Sequence, residues 1–215
     1  MVALLLCSSK HFSLATTLTI GVQLITRLEQ IHRKGFVHRD IKANNFMTGC
    51  GDDKHIVYII DFGLAKRYRD LKTGQHIAIK GGKSLVGTAR YASIASHEGY
   101  EQCRRDDMES LGYLLLYFLI GKLPWQGVQI HSKTEKYAEI GRLKKIAQID
   151  SLVTPFGEDC LVLHRYLEYV KGLKFEEEPN YDFLRKMFKE VLVKRKEENQ
   201  PFDWERSNPP RRKKH

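Results

Sequence analysis

The sequence lacks a run of apolar side chains long enough to cross a bilayer. The longest run inside the chain, residues 114–120, is far shorter than the roughly 20 residues that a spanning helix needs. The apolar start at residues 1–7 has no basic residue before it and no convincing cleavage site after it, so we expect no secretory signal. With 42% hydrophobic and 29% charged residues, the composition is that of a soluble globular protein and excludes fibrous and disordered chains.

Cysteine is also scarce. The four cysteines stand at positions 7, 50, 103 and 160, and no two of them have a Cys-x-x-Cys spacing. The spacing therefore predicts neither a disulfide framework nor a zinc site. Reduced thiols without a secretion signal predict a protein of the cytoplasm, the nucleus or both.

Acidic residues are outnumbered by basic ones. Lys and Arg total 36 against 26 Asp and Glu, which gives a net charge of +10. A surplus of this size predicts an anionic partner without identifying it. Four basic residues form the run 211–214, in a polar, proline-bearing stretch that begins at residue 200. We expect residues 200–215 to form a basic, flexible C-terminal tail.

Helical periodicity dominates the rest of the chain. Apolar residues recur at steps of three and four through residues 13–34, with Ser13 as the expected N-cap and Gly35 as the expected stop. Residues 106–120 are apolar on nearly all sides, which predicts a helix at the centre of the domain. Helices are also predicted at 133–147, 158–171 and 181–196, and a short strand at 55–60. The predicted fold class is mainly α with a few short strands, whereas residues 61–100 show no sustained period and are expected to be functional.

The most specific pattern reads His-Arg-Asp-Ile-Lys-Ala-Asn-Asn and runs from His38 to Asn45. Sixteen residues after Asn45, directly behind the predicted strand, stands Asp61-Phe62-Gly63. Asp-Phe-Gly alone is a weak signal. Both motifs in this order, with a strand leading into the second, resemble the catalytic and metal-binding loops of eukaryotic protein kinases.

Further strings narrow the resemblance to the casein kinase 1 enzymes. They are Gly87-Thr88-Ala89-Arg90-Tyr91-Ala92-Ser93-Ile94, Glu101-Gln102, Arg104-Arg105-Asp106-Asp107-Met108-Glu109-Ser110-Leu111-Gly112-Tyr113, Leu123-Pro124-Trp125-Gln126-Gly127, Lys136-Tyr137 and Phe202-Asp203-Trp204. Most kinases have Ala-Pro-Glu where this sequence has Ser-Ile-Ala at 93–95, and casein kinase 1 enzymes have Ser-Ile-Asn. The likeness runs from about residue 9 to residue 204. It implies the large C-terminal lobe of a kinase over residues 1–199, with the short strands around the two motif loops.

The resemblance also implies roles for individual residues. Asp40 would orient the substrate hydroxyl and accept its proton, while Lys42 would steady the transferring phosphoryl group. Thr88 would bridge Asp40 and Lys42 and so tie the later segment to the catalytic loop. Asn45 and Asp61 would bind Mg²⁺, and ATP would be the phosphoryl donor.

Three more residues would position the catalytic loop. Asp107 begins an Asp-x-x-Ser-x-Gly pattern, and the resemblance implies that it accepts backbone N–H groups of the loop that contains His38 and Arg39. An acid at a helix start is also favoured by the helix dipole, and both interpretations can hold together. Asn44 falls one position short of the metal-binding asparagine, and we expect it to be an ordinary loop residue.

The basic surplus is concentrated between residues 61 and 90, where seven basic residues face two acidic ones. By the same resemblance, Lys83, Arg90 and Lys136 would form an anion pocket that selects protein substrates with acidic or phosphorylated residues near the target. A solvated basic loop remains the plainer interpretation of the individual lysines. Nucleic acid is a weaker explanation of the charge, since no basic module interleaved with aromatic residues is visible.

Glycine and lysine are almost missing ahead of the catalytic loop. The 37 residues before His38 contain only Gly21 and Gly35, and only Lys10 and Lys34. A complete kinase places a glycine-rich turn, a strand lysine and a helix glutamate there. We therefore expect the small lobe to be absent and ATP to bind this chain weakly or not at all. An apolar face should be exposed where the lobes would meet.

Two functions remain open. The first is a casein kinase 1-like serine/threonine protein kinase, represented by its large lobe, that transfers the γ-phosphate of ATP to Ser or Thr of acidic or primed proteins. The second is a catalytically inactive lobe that binds protein partners or phosphopeptides through the anion pocket. The intact catalytic motifs favour the first function, and the missing small lobe favours the second.

Overall fold

The structure is a computed structural model that describes residues 2–3 and 11–206. Lys10 and the basic run 211–214 lie outside these residues. Five short strands occur in the described part of the chain: β1 (Val2–Ala3), β2 (Phe36–Val37), β3 (Phe46–Thr48), β4 (Val57–Ile59) and β5 (Lys66–Arg67). The same part contains eight helices: α1 (Leu14–Arg33), α2 (Ile94–His97), α3 (Arg104–Ile120), α4 (Lys133–Ile146), α5 (Ile149–Val153), α6 (Leu161–Gly172), α7 (Tyr181–Arg195) and α8 (Asp203–Arg206). The prediction of a mainly helical fold with a few short strands is confirmed.

The first helix begins and ends where the sequence predicts. Ser13 is the N-cap, and its hydroxyl accepts the N–H of Thr16 at 3.2 Å. The helix ends before Gly35, whose φ of +83° suits a left-handed stop. Inside α1, a Cβ on Gly21 would lie 2.7 Å from the ring of Phe188, so this glycine allows α1 to pack closely on α7. Both glycines ahead of the catalytic loop therefore serve the helix.

The strands form two small antiparallel ladders that carry the motif loops. β3 pairs with β1 on one side and with β4 on the other, and β2 pairs with β5. Residues 38–45 connect β2 to β3, and residues 60–65 connect β4 to β5. The two motif loops therefore leave neighbouring strand ends, which brings them to the same side of the molecule.

Helix α3 lies at the centre of the core, as its apolar sequence predicts. Almost all of its side chains are buried, and it packs against α1 and α6. A Cβ added to Gly112 would lie 2.5 Å from Leu167, and the Tyr166 hydroxyl donates to the carbonyl of Met108 at 2.9 Å. None of the helices within the described ranges has both the length and the apolar character needed to cross a membrane.

The later helices agree with the sequence to within a few residues. α4 and α7 begin where predicted, whereas α6 begins at Leu161 because residues 158–160 form a 3-10 turn after Gly157. Helix α5 was not predicted, since its five residues are too few to show a period. The stretch 61–100 is irregular apart from β5 and α2.

The end of the described chain packs on the start of α1. The Asp203 carboxylate accepts the Ser13 N–H at 2.6 Å and the Ser13 hydroxyl at 2.8 Å. Phe202 is buried in the core, and the ring of Trp204 lies 5.5 Å from that of Phe12. We expected a flexible tail over residues 200–215; within it, residues 202–204 pack on the start of α1, and residues 207–215 lie outside the described part.

Candidate active site

In the loop between β2 and β3, the side chains of Lys42 and Asn45 both contact the carboxylate of Asp40. Lys42 Nζ lies 2.5 Å from Oδ2 of Asp40, and Asn45 Nδ2 lies 3.3 Å from the same oxygen. Asn45 also donates to the backbone carbonyl of Asp40 at 2.9 Å. The 3-10 turn Ala43–Asn45 folds the chain tightly enough to bring these groups together.

The second oxygen of Asp40 is bonded from a distant segment. The Thr88 hydroxyl donates to Oδ1 of Asp40 at 2.8 Å. Burial would raise the pKa of Asp40, but the hydrogen bonds from Lys42, Thr88 and Asn45 outweigh it and lower the pKa below its ordinary value. Asp40 is therefore ionised at neutral pH and stays an acceptor. Thr88 contacts Asp40 as expected, and the described contacts include no hydrogen bond between Thr88 and Lys42.

Gly87 brings the segment before Thr88 directly onto the catalytic loop. Its φ is +88°, and a Cβ built on it would lie 2.3 Å from the carbonyl oxygen of Arg39. No real side chain fits at that distance. Glycine therefore serves here both for its left-handed backbone and for the close approach of two chain segments.

Asp107 supports the catalytic loop from inside the core. Its two oxygens accept the backbone N–H of His38 at 2.7 Å and that of Arg39 at 2.8 Å. His32 Nε2 lies 2.9 Å from the oxygen that His38 contacts. Burial alone would raise the pKa of Asp107, yet the hydrogen bond with His32 and the nearby charge of that residue hold the pKa below its ordinary value. Asp107 thus fixes the backbone just before Asp40.

The two motif loops are joined to each other by one backbone hydrogen bond and by the side chain of His38. The Ile60 N–H donates to the Asn45 carbonyl at 2.9 Å, and His38 Nε2 lies 3.3 Å from the Ile60 carbonyl. Arg39 and Asp61 both have positive φ, at 67° and 63°. Residues other than glycine rarely adopt this conformation, and it is concentrated at functional sites.

Asn45 and Asp61 offer the oxygen atoms that a hard cation requires. The amide nitrogen of Asn45 faces Asp40, so its Oδ1 is the atom left to act as a ligand. Asp61 follows β4, is exposed, and accepts the N–H of Gly63 at 3.1 Å through Oδ1. Carboxylate and amide oxygens are ligands that Mg²⁺ prefers, with phosphate oxygens and water completing its shell. This pair therefore fits a Mg²⁺–nucleotide complex.

The three residues of the expected anion pocket lie in two parts of the chain: Lys83 and Arg90 in the segment between β5 and α2, and Lys136 on α4. Lys83 Nζ is 3.9 Å from Oε2 of Glu101, and the Arg90 guanidinium lies 5.5 Å from the ring centroid of Tyr117. Lys136 is on the first turn of α4. Among the described contacts, no hydrogen bond or ion pair joins these three side chains to one another.

Glu101, to which the sequence assigned no role beyond the string Glu101-Gln102, pairs with two of the basic residues. It is buried and accepts a hydrogen bond of 2.8 Å from Lys66 of β5. Burial opposes its ionisation, but Lys66 and Lys83 lower its pKa below the ordinary value. Part of the positive charge of residues 61–90 is therefore balanced inside the protein.

Two further residues escaped the sequence reasoning. His32 contacts Asp107, and the short spacing between His32 and the catalytic loop gave no sign of that contact. Lys144 of α4 is fully buried, and its Nζ donates to the carbonyl of Ala89 at 2.9 Å and to that of Ala92 at 2.5 Å. In the sequence Lys144 stands in a Lys-Lys pair at the end of a helix, a pattern that is typical of a solvated surface.

An apolar groove opens beside the Asp61 loop. Residues of α1, the two ladders and that loop form its wall: Ile31, Phe36, Tyr58, Ile59, Phe62 and Ala65. Arg27, Gln30 and Lys34 form the polar part of the lining. Phe62 is 52% exposed, which is high for a phenylalanine. An exposed apolar surface therefore lies next to the Asp61 loop.

Comparison with known families identifies one match that covers most of the chain. A family model for the protein kinase domain matches residues 3–200. The matched range includes the strands that carry both motif loops, Asp107 below them and the segment that contains Thr88.

Proposed function

Because the chain belongs to the protein kinase domain family, we propose that it is a serine/threonine protein kinase of the casein kinase 1 type. In this proposal it transfers the γ-phosphate of ATP to Ser or Thr of acidic or already phosphorylated proteins. The observation that carries the proposal is the bonding of Asp40, whose carboxylate meets Lys42, Asn45 and Thr88 together. A buried carboxylate that three donors from two segments hold ionised and in one orientation is suited to orienting a substrate hydroxyl.

Each side chain of this cluster has a step that it can perform. Asp40 accepts the proton of the substrate hydroxyl on a carboxylate oxygen as the hydroxyl oxygen attacks the γ-phosphorus, the bond from that phosphorus to the bridging oxygen breaks, and ADP leaves. Lys42 places its positive charge beside the Asp40 carboxylate and can neutralise the equatorial oxygens of the transferring group. Thr88 holds Asp40 in one orientation. Mg²⁺-bound ATP, when present, supplies the phosphoryl group, and Asn45 and Asp61 are the residues that would hold it.

The basic charge of the segment after Asp61 supports the proposed choice of substrates. Lys83 is half exposed and only loosely paired with Glu101, at 3.9 Å. Arg90 is exposed, and its guanidinium carbon lies 5.7 Å from the ring centroid of Tyr91 and 5.5 Å from that of Tyr117. A phosphate or carboxylate can approach Lys83 and Arg90 from solvent, since each keeps donor groups accessible. The charge of these residues therefore favours acidic over basic substrates.

A kinase also needs groups that cover the nucleotide phosphates. Gly21 and Gly35 are occupied in building and ending α1, and no glycine-rich loop occurs among residues 11–37 of the described structure. We propose that these covering groups belong to a small lobe that seats on the apolar groove lined by Ile31, Phe36 and Phe62. A non-catalytic binding role is not favoured, because the catalytic cluster is fully assembled.

Transfer of labelled phosphate from Mg-ATP to casein tests this proposal. We would assay the 215-residue chain alone, and also joined at its N-terminus to the small lobe of a casein kinase 1 enzyme. We expect at most weak transfer by the chain alone, clear transfer by the joined form, and a loss of about 10²–10⁴-fold in Asp40→Asn. Folded protein that transfers no phosphate in either form would overturn the proposal.

The two adjacent asparagines provide a matched test of the metal role. Asn45 is buried beside Asp40, whereas Asn44 is exposed. In the joined form, Asn45→Ala should raise the Mg²⁺ concentration needed for half-maximal transfer by tenfold or more. Asn44→Ala should leave it unchanged. An equal effect of both substitutions would remove Asn45 from the metal site.

A further inference from the structure

Lys144 is the one lysine in the described part of the chain with no exposed surface. It lies on α4, outside the catalytic loop and outside the expected anion pocket. Burying an ammonium group in a protein core is costly unless its donors are satisfied. Its position therefore calls for an explanation in terms of what it contacts.

Burial lowers the pKa of Lys144 to about 7. Its Nζ has three polar neighbours, which match the three donors of the charged form, and the neutral amine still donates to both carbonyls. It donates to the carbonyls of Ala89 and Ala92, and it lies 3.2 Å from Nε2 of His97. Burial, followed by the charge of Lys144, lowers the pKa of His97 to about 4. His97 is then neutral at pH 7, and in the tautomer with its proton on Nδ1 it accepts the third bond through Nε2, which also lies 3.2 Å from the Ala89 carbonyl.

Aromatic rings surround the same ammonium group. Nζ of Lys144 lies 4.8 Å from the ring centroid of Tyr113 and 5.5 Å from that of Trp125. The electron-rich faces of such rings stabilise a cation that has lost its water. Trp125 also donates through Nε1 to the carbonyl of Arg90 at 2.8 Å. Consecutive carbonyls of one segment, at Ala89 and Arg90, are thus bonded from the same cluster.

That segment is the one that leads to the active site. Thr88 precedes Ala89 directly and donates to Asp40, and Gly87 lies against the carbonyl of Arg39. Gly141 of α4 makes the arrangement possible, because a Cβ there would lie 2.8 Å from Cβ of His97. Lys144 is therefore connected to Asp40 through the Ala89 carbonyl that it bonds, the peptide that joins Ala89 to Thr88, and the Thr88 hydroxyl.

We propose that Lys144 is a positioning residue for phosphoryl transfer: its buried ammonium clamps the carbonyls of Ala89 and Ala92 and so holds Thr88 on Asp40. The catalytic consequence of this inference rests on the proposed kinase function, whereas the clamp itself rests on the geometry alone. The competing explanation is that Lys144 only stabilises the core. In that case its loss would lower global stability without a specific effect on Thr88.

The test uses Lys144→Met, which keeps the length of the side chain and removes the donors, and Lys145→Met as the matched control. Lys145 is next in the chain, half exposed, and paired with Glu98 at 2.5 Å. Hydrogen exchange of peptides that cover residues 86–93 should become at least tenfold faster in Lys144→Met. Exchange in α1 and α7 should stay within twofold, and Lys145→Met should match the wild type throughout. Two results would overturn the clamp: exchange that becomes faster to the same degree in all peptides, or exchange at residues 86–93 that is no faster than in the wild type.

A double substitution separates positioning from stability, and it is measured in the form joined to a small lobe. Lys144→Met should lower kcat at least tenfold with little change in KM for ATP. If Lys144 acts through Thr88, then Lys144→Met combined with Thr88→Val should lower kcat no further than Thr88→Val alone. If the fold-loss in kcat of the double variant equals the product of the two single losses, the proposal is contradicted. If Lys144→Met does not fold, Lys144→Gln, which retains two donors, replaces it in both measurements.

The two proposals can fail separately. If the wild type transfers no phosphate, the kinase function fails, and hydrogen exchange at residues 86–93 still decides whether Lys144 is a clamp. If the wild type is active and Lys144→Met keeps its kcat, the positioning role of Lys144 fails and the kinase function stands.

Discussion

The hydroxyl of Thr88 donates a 2.8 Å hydrogen bond to the carboxylate of Asp40, 48 residues earlier in the chain. Lys42 contacts the other oxygen of that carboxylate. Asp40 therefore receives two donors from its own loop, Lys42 and Asn45, and one from a distant segment. The bond makes the orientation of the proton acceptor depend on the placement of residues 87–93.

Removal of this hydroxyl should slow phosphoryl transfer. Thr88→Val keeps the shape of the side chain and loses one bond to a charged group, which is worth about 1.5–3 kcal/mol. We expect kcat to fall roughly 10–100-fold in Thr88→Val and less than threefold in Thr88→Ser, which keeps the hydroxyl. Steady-state kinetics on the form joined to a small lobe measure both. Equal losses in the two variants would show that the methyl group matters and the bond does not.

Asp107→Ala should destabilise the domain by about 3–5 kcal/mol, because it leaves two backbone N–H groups and His32 buried without their acceptor. Urea denaturation at pH 7 measures the loss. Asp182→Ala is the control, since Asp182 is an exposed acid paired with Arg185 on α7, and it should cost less than about 1 kcal/mol. A cost for Asp107→Ala as small as the control would mean that the loop holds its shape without Asp107.

Gly87→Ala should damage the site far more than Gly82→Ala. Both glycines have positive φ, +88° and +69°, so both variants carry the same backbone strain of roughly 1 kcal/mol. A Cβ at Gly82 meets nothing within 4 Å, whereas one at Gly87 would lie 2.3 Å from the Arg39 carbonyl. We expect Gly82→Ala to retain transfer activity and Gly87→Ala to lose at least tenfold. The test fails if the two variants behave alike in activity and in thermal unfolding.

Acidification should weaken the contact between α2 and α4 through His97. Its pKa in the folded chain is about 4, below the ordinary value of about 6.5. Between these values the unfolded chain binds more protons, so stability falls as the pH falls from 6.5 towards 4. Lys144 is the charged group that acts on His97, and Glu109 and Lys171 are the charged groups that act on Lys144.

A variant isolates the share of His97, since buried acids also titrate in this window. Between pH 7 and 4.5, the free energy of unfolding should drop about 2 kcal/mol less in His97→Gln than in the wild type. His131→Gln, at an exposed position, should follow the wild type. Parallel curves for His97→Gln and the wild type would show that His97 takes up no proton on unfolding in this range.

The sequence predicts the helices and the catalytic cluster because local patterns specify both. Residues 13–34 show a helical stripe with a capping serine, and α1 follows it. The string from His38 to Asn45 places its side chains within one tight turn, so their proximity needs only local geometry. These parts of the fold depend on neighbours within a few positions of each other.

The missed features depend on packing between distant elements. The sequence around Lys144 is typical of a surface residue, because the rings that enclose it, those of Tyr113 and Trp125, come from other parts of the chain. Glu101 draws Lys66 and Lys83 into ion pairs that no spacing rule indicates. Asp203 and Trp204 lie in a polar stretch, yet they pack on Ser13 and Phe12. Such contacts form only once the whole domain has closed.

The bond between Ser13 and Asp203 has a consequence for the order of events during synthesis. The two residues are 190 positions apart, so Asp203 leaves the ribosome about 10–40 s after Ser13 at ordinary rates of elongation. Until then, the first turn of α1 and the ring of Phe12 lack the partners that Asp203 and Trp204 provide. During that time Phe12 and the first turn of α1 are exposed to solvent on this side. A chaperone that binds exposed aromatic side chains would bind there.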